Sequence, residues 1–286
     1  MISVIILTYN SQRYIPELLE SFLKQYKDEV KKEQIEVLVA DNASTDGTEK
    51  EVRKFPGIHF TQNGGNLGFA AGNNKASMKA KGDIILFVNP DAEFVSGDIL
   101  KLNEIFKNER VGVVGGEILD YTGKRELSCG KFYSLWNVVL LCLGLEETLG
   151  VRFSPHRRRK VNFVSGAFFA MKKEVFQNLG GFDEHFFMYI EDQELCYRVV
   201  GNGLEVVYDP YAAIKHLGQG SSNRTFAVIN IFKGLVYFHK KHMGQFSYNI
   251  VKIVLRAKAG MLVLIGKILH NEYLVQTYEK AFDATT

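Results

Sequence analysis

Two side chains of the sequence have the types that a divalent cation requires. Asp91 follows Asn89 and Pro90 at the end of an apolar run, residues 84–88, and His216 lies in a later glycine-containing segment. A carboxylate and an imidazole can share a cation with two phosphate groups, which suits Mg²⁺ or Mn²⁺. A single histidine in a predicted loop is more often a surface residue, so a metal-binding role for His216 requires that it meets Asp91.

A carboxylate on a predicted helix could take part in proton transfer. In the segment EDQELCYRVV, Asp192 shares a helical stripe with the apolar residues Leu195 and Val199. Because an uncompensated buried charge is costly, Asp192 should face a cleft, a cation or a proton-transfer partner. The alternative is that an acidic residue in a first helical turn only complements the helix dipole, which explains Glu191 and Glu194 well.

The elements that would position these residues alternate along the chain. Apolar runs typical of buried parallel strands occupy residues 4–7, 36–40, 58–61, 84–88 and 111–115, and helices are predicted at 14–26, 48–54 and 70–79. Further along we expect helices at 172–178 and from 192 to 201 or 203, and a strand at 205–208. This order predicts an α/β fold, in which ligands bind at the carboxyl ends of the strands.

Polar residues follow four of the predicted strands. They are Thr8, Tyr9 and Asn10 after the first, Asp41 and Asn42 after the second, residues 63–74 after the third, and Asn89 to Asp91 after the fourth. Each set alone could be a turn or a helix cap, with Asn10 or Ser11 capping one helix and Thr45 or Asp46 the next. Four sets at one edge of a sheet favour a binding site.

The glycine-rich segment NGGNLGFAAGNN, residues 63–74, is a weak nucleotide signal by itself. It lacks the G-x-G-x-x-G spacing and follows the third predicted strand, so a dinucleotide fingerprint is not supported. It could be a loop before a helix start whose N–H groups meet a phosphate or a ribose. It could equally be an ordinary loop with one or two left-handed glycines.

Composition indicates an ordinary globular protein. The 286 residues are 46% hydrophobic and 23% charged, and the net charge of +3 gives no reason to expect nucleic acid as a partner. The three cysteines lack C-x-x-C spacing, which fits a reducing cytoplasm. The first residues read as a strand rather than a signal peptide, and the apolar stretches at 135–145 and 260–266 are too short to span a bilayer.

In their order along the chain, six motifs resemble the inverting family 2 glycosyltransferases, which use nucleotide sugars. They are VIILTYN, VLVADNASTDGT, NGGNLGFAAGNN, ILFVNPDAEF, FVSGAFFAMKKEVFQNLGGFDEHFFMYIEDQELCYR and KHLGQGSS. The amino-acid sequences of three of these motifs are most similar to the rhamnosyltransferase branch that builds bacterial surface polysaccharides. The resemblance implies a GT-A fold over residues 1–222, a Rossmann-like mixed sheet flanked by helices, followed by a C-terminal amphipathic helical extension over residues 223–286.

The resemblance also implies roles for individual residues. Asp192 would be the general base, with Glu191 beside it, and Asp91 and His216 would hold the metal that bridges the diphosphate. The remaining matches would bind the nucleotide sugar, a dTDP- or UDP-sugar with dTDP-rhamnose favoured: Thr8, Tyr9, Asn10, Asp41, Asn42, Asn66, Gly68, Asn73 and Asn89. Asp41 would accept a hydrogen bond from the ring N–H of a pyrimidine base. The implied acceptor is a saccharide or a lipid-linked saccharide.

One position departs from the family pattern. The first carboxylate of the Asp-x-Asp motif is here Asn89, which can donate or accept a hydrogen bond but brings no charge. Metal affinity would then depend on Asp91, His216 and the diphosphate itself. We therefore predict weak binding of Mg²⁺ or Mn²⁺ that depends on the nucleotide.

Two basic or amphipathic segments leave several interpretations open. The run HRRRK, residues 156–160, is either a solvated loop or a site for anionic headgroups. The helices expected after residue 222 could lie on the inner face of the cytoplasmic membrane, pack against the catalytic domain, or join two subunits in a homodimer. The expected location is therefore cytoplasmic, with or without peripheral membrane contact.

Two other classes of protein share some of these features. A nucleotidyltransferase would need a glycine-rich triphosphate loop with Arg and Lys near the N-terminus, and none is present. A catalytically silent protein of the same fold could bind a nucleotide sugar or a polysaccharide. The joint presence of Asp41, Asp91, Glu191 and Asp192 favours an enzyme.

Overall fold

The computed structural model describes residues 1–218 and 223–285. The strands found there are β1 (Ile2–Thr8), β2 (Ile35–Asp41), β3 (Ile58–Gln62), β4 (Ile84–Val88), β5 (Ala92–Gly97), β6 (Val111–Leu119), β7 (Cys129–Gly130), β8 (Arg152–Phe153), β9 (Arg159–Val161), β10 (Phe163–Val164), β11 (Phe168–Lys172) and β12 (Glu205–His216). The last four residues of the KHLGQGSS motif, 219–222, lie outside the described part of the chain, next to the expected domain boundary.

Ten α-helices accompany these strands in the same two stretches of chain. They are α1 (Ile15–Lys31), α2 (Thr48–Val52), α3 (Gly68–Ser77), α4 (Leu102–Ile105), α5 (Leu135–Cys142), α6 (Lys173–Asn178), α7 (Glu191–Gly201), α8 (Arg224–His242), α9 (Gly244–Ile268) and α10 (Glu272–Asp283), with a 3₁₀ turn at Ile99–Lys101 before α4. Helix α1 follows its predicted apolar stripe but runs on past Tyr26, whose φ and ψ are not helical.

Nine strands form one mixed sheet in the described part of the chain, which confirms the predicted fold class. The order is β3-β2-β1-β4-β11-β6-β12-β5, with β9 also paired to β12. Strands β1 to β4 are parallel, whereas β11 runs antiparallel between β4 and β6. A separate small sheet has the order β10-β7-β8.

Burial explains why the central strands read as continuous apolar runs. All five residues of β4 are buried, because β1 and β11 flank it and helices cover both faces of the sheet. Strand β3 differs from the expectation of a run buried on both faces. It lies at the edge of the sheet and none of its residues is fully buried.

Two segments expected to be loops are strands. Arg159 and Lys160 of the basic run form β9 together with Val161, and this strand pairs with β12. Nζ of Lys160 lies 3.1 Å from Oε1 of Glu205 in an ion pair. Strand β12 continues through Pro210 to His216, with a register shift between Tyr208 and Ala213. The expected strand 205–208 was therefore too short, and His216 ends a strand rather than lying in a loop.

The C-terminal helices pack against the sheet domain. One hydrophobic cluster joins Leu235 and Phe238 of α8 and Leu255 of α9 to Phe186 and Ile190, which precede α7. Asn223 begins α8 by accepting a 2.8 Å hydrogen bond from the backbone N–H of Phe226. Of the three arrangements expected for these helices, packing against the preceding part of the chain is present in the structure.

Candidate active site

A cavity of about 710 Å³ opens at the carboxyl edge of β1, β2 and β4. Most of the predicted site residues line it: Thr8, Tyr9, Asn42, Asn66, Gly68, Asn73, Asn89, Asp91, Glu191, Asp192 and His216. Asn10 and Asp41 do not line it. The chain thus brings predicted residues from six segments of the sequence to one space large enough for a small-molecule substrate.

Asp41 and Asn10 stabilise the wall of this cavity. Asp41 has no exposed surface, and its Oδ1 accepts hydrogen bonds from Thr8 Oγ1 at 2.7 Å and from Ser44 Oγ at 2.5 Å. Asn10, with a φ of 50°, accepts a 2.9 Å hydrogen bond from the N–H of Thr45 through its Oδ1. These bonds join the loop after β1 to the loop after β2.

Of the helix-cap alternatives for these polar residues, only the one for Asp46 is supported, because Asp46 accepts a hydrogen bond from the first residue of α2. Helix α1 is preceded by Tyr14 and α2 by Gly47, and neither helix start receives a hydrogen bond from the side chain at its N-cap position. Asp46 does accept a 3.0 Å bond from the N–H of Thr48, but it also accepts one of 3.0 Å from the N–H of Gln12. The side chains after β1 and β2 therefore serve mainly to connect two loops.

The glycine-rich segment is fixed by contact with the residues that precede α7. Gly68 has a φ of +78°, and a Cβ atom there would lie 2.3 Å from the carbonyl oxygen of Phe187. The N–H of Phe69 donates a 2.6 Å hydrogen bond to that same oxygen. Asn42 donates from Nδ2 to the carbonyl of Gly68 at 3.0 Å. Only glycine fits at position 68, because both the backbone conformation and the close approach exclude a side chain.

His216 and Asp91 meet at the floor of the cavity. Nε2 of His216 lies 3.4 Å from Oδ1 of Asp91 and 3.2 Å from Nδ2 of Asn89, and its Nδ1 lies 3.4 Å from Oε2 of Glu126. Burial opposes protonation of this imidazole, but the hydrogen bonds and charges of Asp91 and Glu126 outweigh it and raise the pKa of His216 to about 10. Without a cation, the imidazolium is therefore the counter-ion of Asp91.

The donor types at this point fit a hard divalent cation. Asp91 offers a carboxylate that is 3% exposed, and His216 offers a ring nitrogen from which a metal would have to displace the proton. In the described residues, no group of three or more His, Cys, Asp or Glu side chains is arranged to hold a metal ion. The two side chains could therefore supply only part of a coordination shell.

Asp192 is held at the start of α7 by an unusual turn. Tyr189 and Ile190 have φ angles of 72° and 73°, a conformation that costs about 1–3 kcal/mol per residue outside glycine. The turn places Oδ2 of Asp192 to accept a 2.9 Å hydrogen bond from the N–H of Gly166. Strain of this kind persists where the surroundings impose it, and here it aims a carboxylate into the cavity.

The two neighbouring carboxylates differ in their surroundings. Burial raises the pKa of Asp192, although hydrogen bonds from the amides of Gly166 and Gln193 and the charge of Arg152 lower it. Burial and the charge of Asp192 raise the pKa of Glu191 well above its usual value. Asp192 is therefore the one that ionises more readily, as a proton acceptor must.

Glu191 and Glu194 lie in the first turn of α7, where the alternative explanation places them as partners of the helix dipole, but both are buried. Glu191 is 5% exposed and lines the cavity, and Glu194 has no exposed surface. The charge of Glu194 is balanced by Arg198 and Lys241, and Nε2 of His242 lies 2.9 Å from the same carboxylate. Glu194 is thus a structural anion that lies behind Asp192.

Among the polar lining residues that were not predicted from sequence, several come from one stretch of the chain. Glu126, Tyr133 and Arg152 come from residues 116–160, where the pattern was irregular. Arg152 donates from Nη2 to the carbonyl of Leu127 at 2.7 Å, and among the described lining residues it is the one Lys or Arg. No spacing signals these residues, because the two-residue strands β7 and β8 position them.

Comparisons with known proteins agree with this geometry. The model of glycosyl transferase family 2 matches residues 3–180, and one described as the N-terminal domain of galactosyltransferase matches residues 150–218. N-acetylglucosaminyl-diphospho-decaprenol L-rhamnosyltransferase of Mycobacterium tuberculosis is 30% identical over 217 residues, which cover 66% of this chain and 69% of that protein. Rhamnosyltransferase WbbL of Escherichia coli is 27% identical over 236 residues, covering 79% and 86%.

Solved structures of low identity share the fold. Mannosyltransferase PcManGT from Pyrobaculum calidifontis, in complex with GDP-Man and Mn²⁺, has a TM-score of 0.58 at 19% identity and covers 99% of this chain and 85% of its own. S. aureus TarS 1–349 in complex with UDP has a TM-score of 0.56 at 19% identity, covering 99% and 88%. The family match spans more than half of the sequence, so this chain belongs to glycosyl transferase family 2, as a rhamnosyltransferase-like enzyme of GT-A fold.

Proposed function

We propose that this enzyme transfers a sugar from a nucleoside diphosphate to a hydroxyl group of a saccharide or lipid-linked saccharide, with inversion at the anomeric carbon. The observation that carries the proposal is the placement of Asp192. It is an ionisable carboxylate fixed by two backbone amides, and it lines the same cavity as Asp91 and the loops after β1 to β3. General base catalysis by such a group contributes about 10²–10⁴-fold to a rate.

Asp192 takes the proton of the acceptor hydroxyl as its oxygen attacks the anomeric carbon. The bond from that carbon to the diphosphate oxygen breaks at the same time, and the nucleoside diphosphate leaves on the opposite side. Glu191, whose raised pKa favours the neutral form, adds no second negative charge beside the base. A divalent cation, when bound by Asp91 and His216, would neutralise charge on the leaving diphosphate.

The donor would bind across the strand ends. Thr8, Tyr9 and Asn42 would contact the base, with Asp41 and Asn10 shaping that pocket from behind. Asn66, Gly68, Asn73 and Asn89 would border the ribose, diphosphate and sugar, since all four line the cavity. The loop conformation that Gly68 permits would bring backbone close to the diphosphate.

The favoured donor is dTDP-rhamnose, in the synthesis of a cell-surface polysaccharide. Support comes from the names of the relatives, which include the mycobacterial and E. coli rhamnosyltransferases and the O-antigen chain rhamnosyltransferase RfbN of Salmonella typhimurium. The mycobacterial name also specifies a diphospho-decaprenol acceptor. Arg152, the permanent cation in the described lining, would suit a phosphate-bearing acceptor of that kind.

A release assay with a panel of nucleotide sugars tests the proposal. Nucleoside diphosphate should be released fastest from dTDP-rhamnose, and the rate should rise when a lipid-diphosphate-linked saccharide is added. Release from a different donor only would contradict dTDP-rhamnose as the donor but would still support the transfer reaction. Tight donor binding without release, with or without acceptor, would instead identify a catalytically silent sugar-nucleotide-binding protein.

A further inference from the structure

The solvent face of α9 is apolar. Phe246, Ile253, Met261, Leu264 and Ile268 are each more than half exposed. Their spacing of seven, eight, three and four residues places them on one stripe of the helix. The opposite face of α9 is also apolar, because Val251, Leu255 and Ala259 are buried in the cluster shared with the catalytic domain. The outer face of a surface helix is ordinarily polar, so this stripe needs an explanation.

The exposed surface extends beyond α9. The stripe is about 33 Å long at 1.5 Å per residue. Helix α5 packs beside α9, where Lys258 donates from Nζ to the carbonyl of Leu141 at 3.2 Å. It adds the exposed side chains of Trp136 and Leu143. A row of exposed apolar side chains of this length is more than the isolated ones that are normal on a protein surface, and it indicates an interaction site.

Charge identifies the kind of partner. Residues 223–286 contain nine Lys and Arg against three Asp and Glu, a net charge of +6, although the whole chain carries only +3. Lys252, Arg256 and Lys267 lie along one flank of the stripe and Lys258 along the other. Two copies of such a surface would repel each other, whereas anionic lipid headgroups would attract it.

Helix α5, which belongs to this surface, and α8, which packs against α9, also form part of the cavity wall. Leu141 of α5 and Phe226 and Ile231 of α8 line the cavity. In the described residues, no helix has both the length and the apolar composition to cross a bilayer.

We propose that the α9 stripe, with Trp136 and Leu143 of α5, docks in the plane of an anionic bilayer. An apolar face rimmed by cations is the arrangement by which interfacial helices bind. Docking would hold α5 and α8 near the lipid, so that a lipid-linked acceptor could reach the cavity from the membrane. This last consequence rests on the proposed function, but the docking does not.

Vesicle flotation of the whole chain tests the docking. The protein should float with vesicles of phosphatidylcholine and phosphatidylglycerol, less so at high salt, and not with phosphatidylcholine alone. The combined change Ile253→Ser, Leu264→Ser and Ile268→Ser should weaken binding by at least about tenfold. Met78→Ser removes an equally exposed apolar side chain far from α9 in the sequence, and it should change nothing.

The single tryptophan gives a second readout. Trp136 is 66% exposed, so its emission should shift to the blue when the protein binds anionic vesicles. An unchanged emission spectrum on vesicle binding would show that α5 is not part of the docking surface. Failure to float, or equal flotation of the triple variant, would overturn the proposal. A dimer in sedimentation that the triple variant abolishes would assign the stripe to a second copy instead.

The docking and the proposed function can fail separately. Release of nucleoside diphosphate in solution, without vesicles, reports only on the reaction. Normal release by a triple variant that no longer floats would support the docking and the chemistry together. Flotation of a wild-type protein that releases nothing from any donor would keep the docking and overturn the proposed reaction.

Discussion

Nζ of Lys241 on α8 lies 2.7 Å from Oε1 of Glu194 on α7, and Glu194 has no exposed surface. His242 reaches the same oxygen at 2.9 Å, and Arg198 binds both carboxylate oxygens from one turn along α7. Lys241 also binds Asp183 at 2.7 Å. The C-terminal helices are thus connected by ion pairs to the helix that carries Asp192.

Glu194→Gln should lower the free energy of unfolding by about 3 kcal/mol, because it leaves the cations of Arg198 and Lys241 without their buried anion. Burial opposes ionisation of Glu194, but its bonds to His242, Arg198 and Lys241 lower its pKa to about 2. A carboxyl with a lowered pKa stabilises the fold above its ordinary value near 4.5, and this stabilisation is lost as the pH falls towards 2. Urea unfolding should therefore show a difference between variant and wild type that shrinks in acid.

The matched control for this variant is Glu205→Gln. Glu205 pairs with Lys160, whose side chain is 64% exposed, so the change should cost no more than about 0.5–1 kcal/mol. Equal losses for the two variants would contradict the central role of Glu194.

Gly234→Ala on α8 should slow catalysis without weakening donor binding. A Cβ atom at Gly234 would lie 2.9 Å from Cγ1 of Ile190 and 3.1 Å from its Cβ. Ile190 belongs to the strained turn that aims Asp192, and a small displacement of a catalytic group can cost about 10²-fold in rate. Measurement of kcat together with the dissociation constant for the nucleotide separates the two effects.

Gly260→Ala on α9 controls for the helix itself. No atom lies within 4 Å of its added Cβ, so this variant should keep its kcat in solution and gain up to about 1 kcal/mol in stability. Gly234→Ala with an unchanged kcat would show that α8 does not position the turn.

The sequence predicted the strand ends well because each depends on local information. An apolar run followed by Asn, Asp or Thr identifies β1, β2 and β4 without knowledge of the rest of the chain. The insertion of β11 between β4 and β6 depends on contacts between distant segments. No local pattern distinguishes an antiparallel central strand from a parallel one when both are buried.

The residues of the site that were not predicted also depend on contacts that no local sequence pattern reveals. His216 was expected in a loop because Pro210 suggested a strand end, but the register shift after Tyr208 lets β12 continue. Arg152 and Glu126 were missed because no periodicity exists in a two-residue strand or in a connecting loop. Burial of Glu194 was missed because its partners on α8 lie 47 and 48 residues away in sequence.

Asp192→Asn should retain nucleotide-sugar binding and lose transfer by about 10²–10⁴-fold. Burial raises the pKa of Asp192, and the base must be ionised to act. The wild-type rate should therefore fall in acid, with a midpoint above the ordinary Asp pKa of 3.8. The residual rate of the variant should not show this fall in acid. Rates of transfer across pH, with calorimetry for donor binding, measure both.

Glu191→Gln is the companion of that variant. Because the raised pKa of Glu191 already favours its neutral form, the amide should preserve most of the transfer and the acid limb. Full transfer by Asp192→Asn would remove Asp192 as the base. Loss of transfer in Glu191→Gln but not in Asp192→Asn would identify Glu191, rather than Asp192, as the general base.

Asn89→Asp should strengthen the binding of Mn²⁺ by about tenfold or more, since it adds a carboxylate beside Asp91. Nδ2 of Asn89 lies 3.2 Å from Nε2 of His216, so the new oxygen would enter the same group of donors. We expect calorimetric titration to detect only weak binding to the nucleotide-free wild type and tighter binding once dTDP is present. The variant should bind the cation without the nucleotide.

Asn10→Asp adds the same charge outside the cavity, where Asn10 accepts a bond from Thr45, and should leave metal binding unchanged. Tight binding of Mn²⁺ to nucleotide-free wild type would contradict the idea that Asn89 makes the site depend on the diphosphate. An equal gain in both variants would mean that net charge, rather than a ligand at position 89, controls the affinity. A gain in Mn²⁺ affinity confined to Asn89→Asp would show that residue 89 determines how strongly cation binding depends on the bound donor.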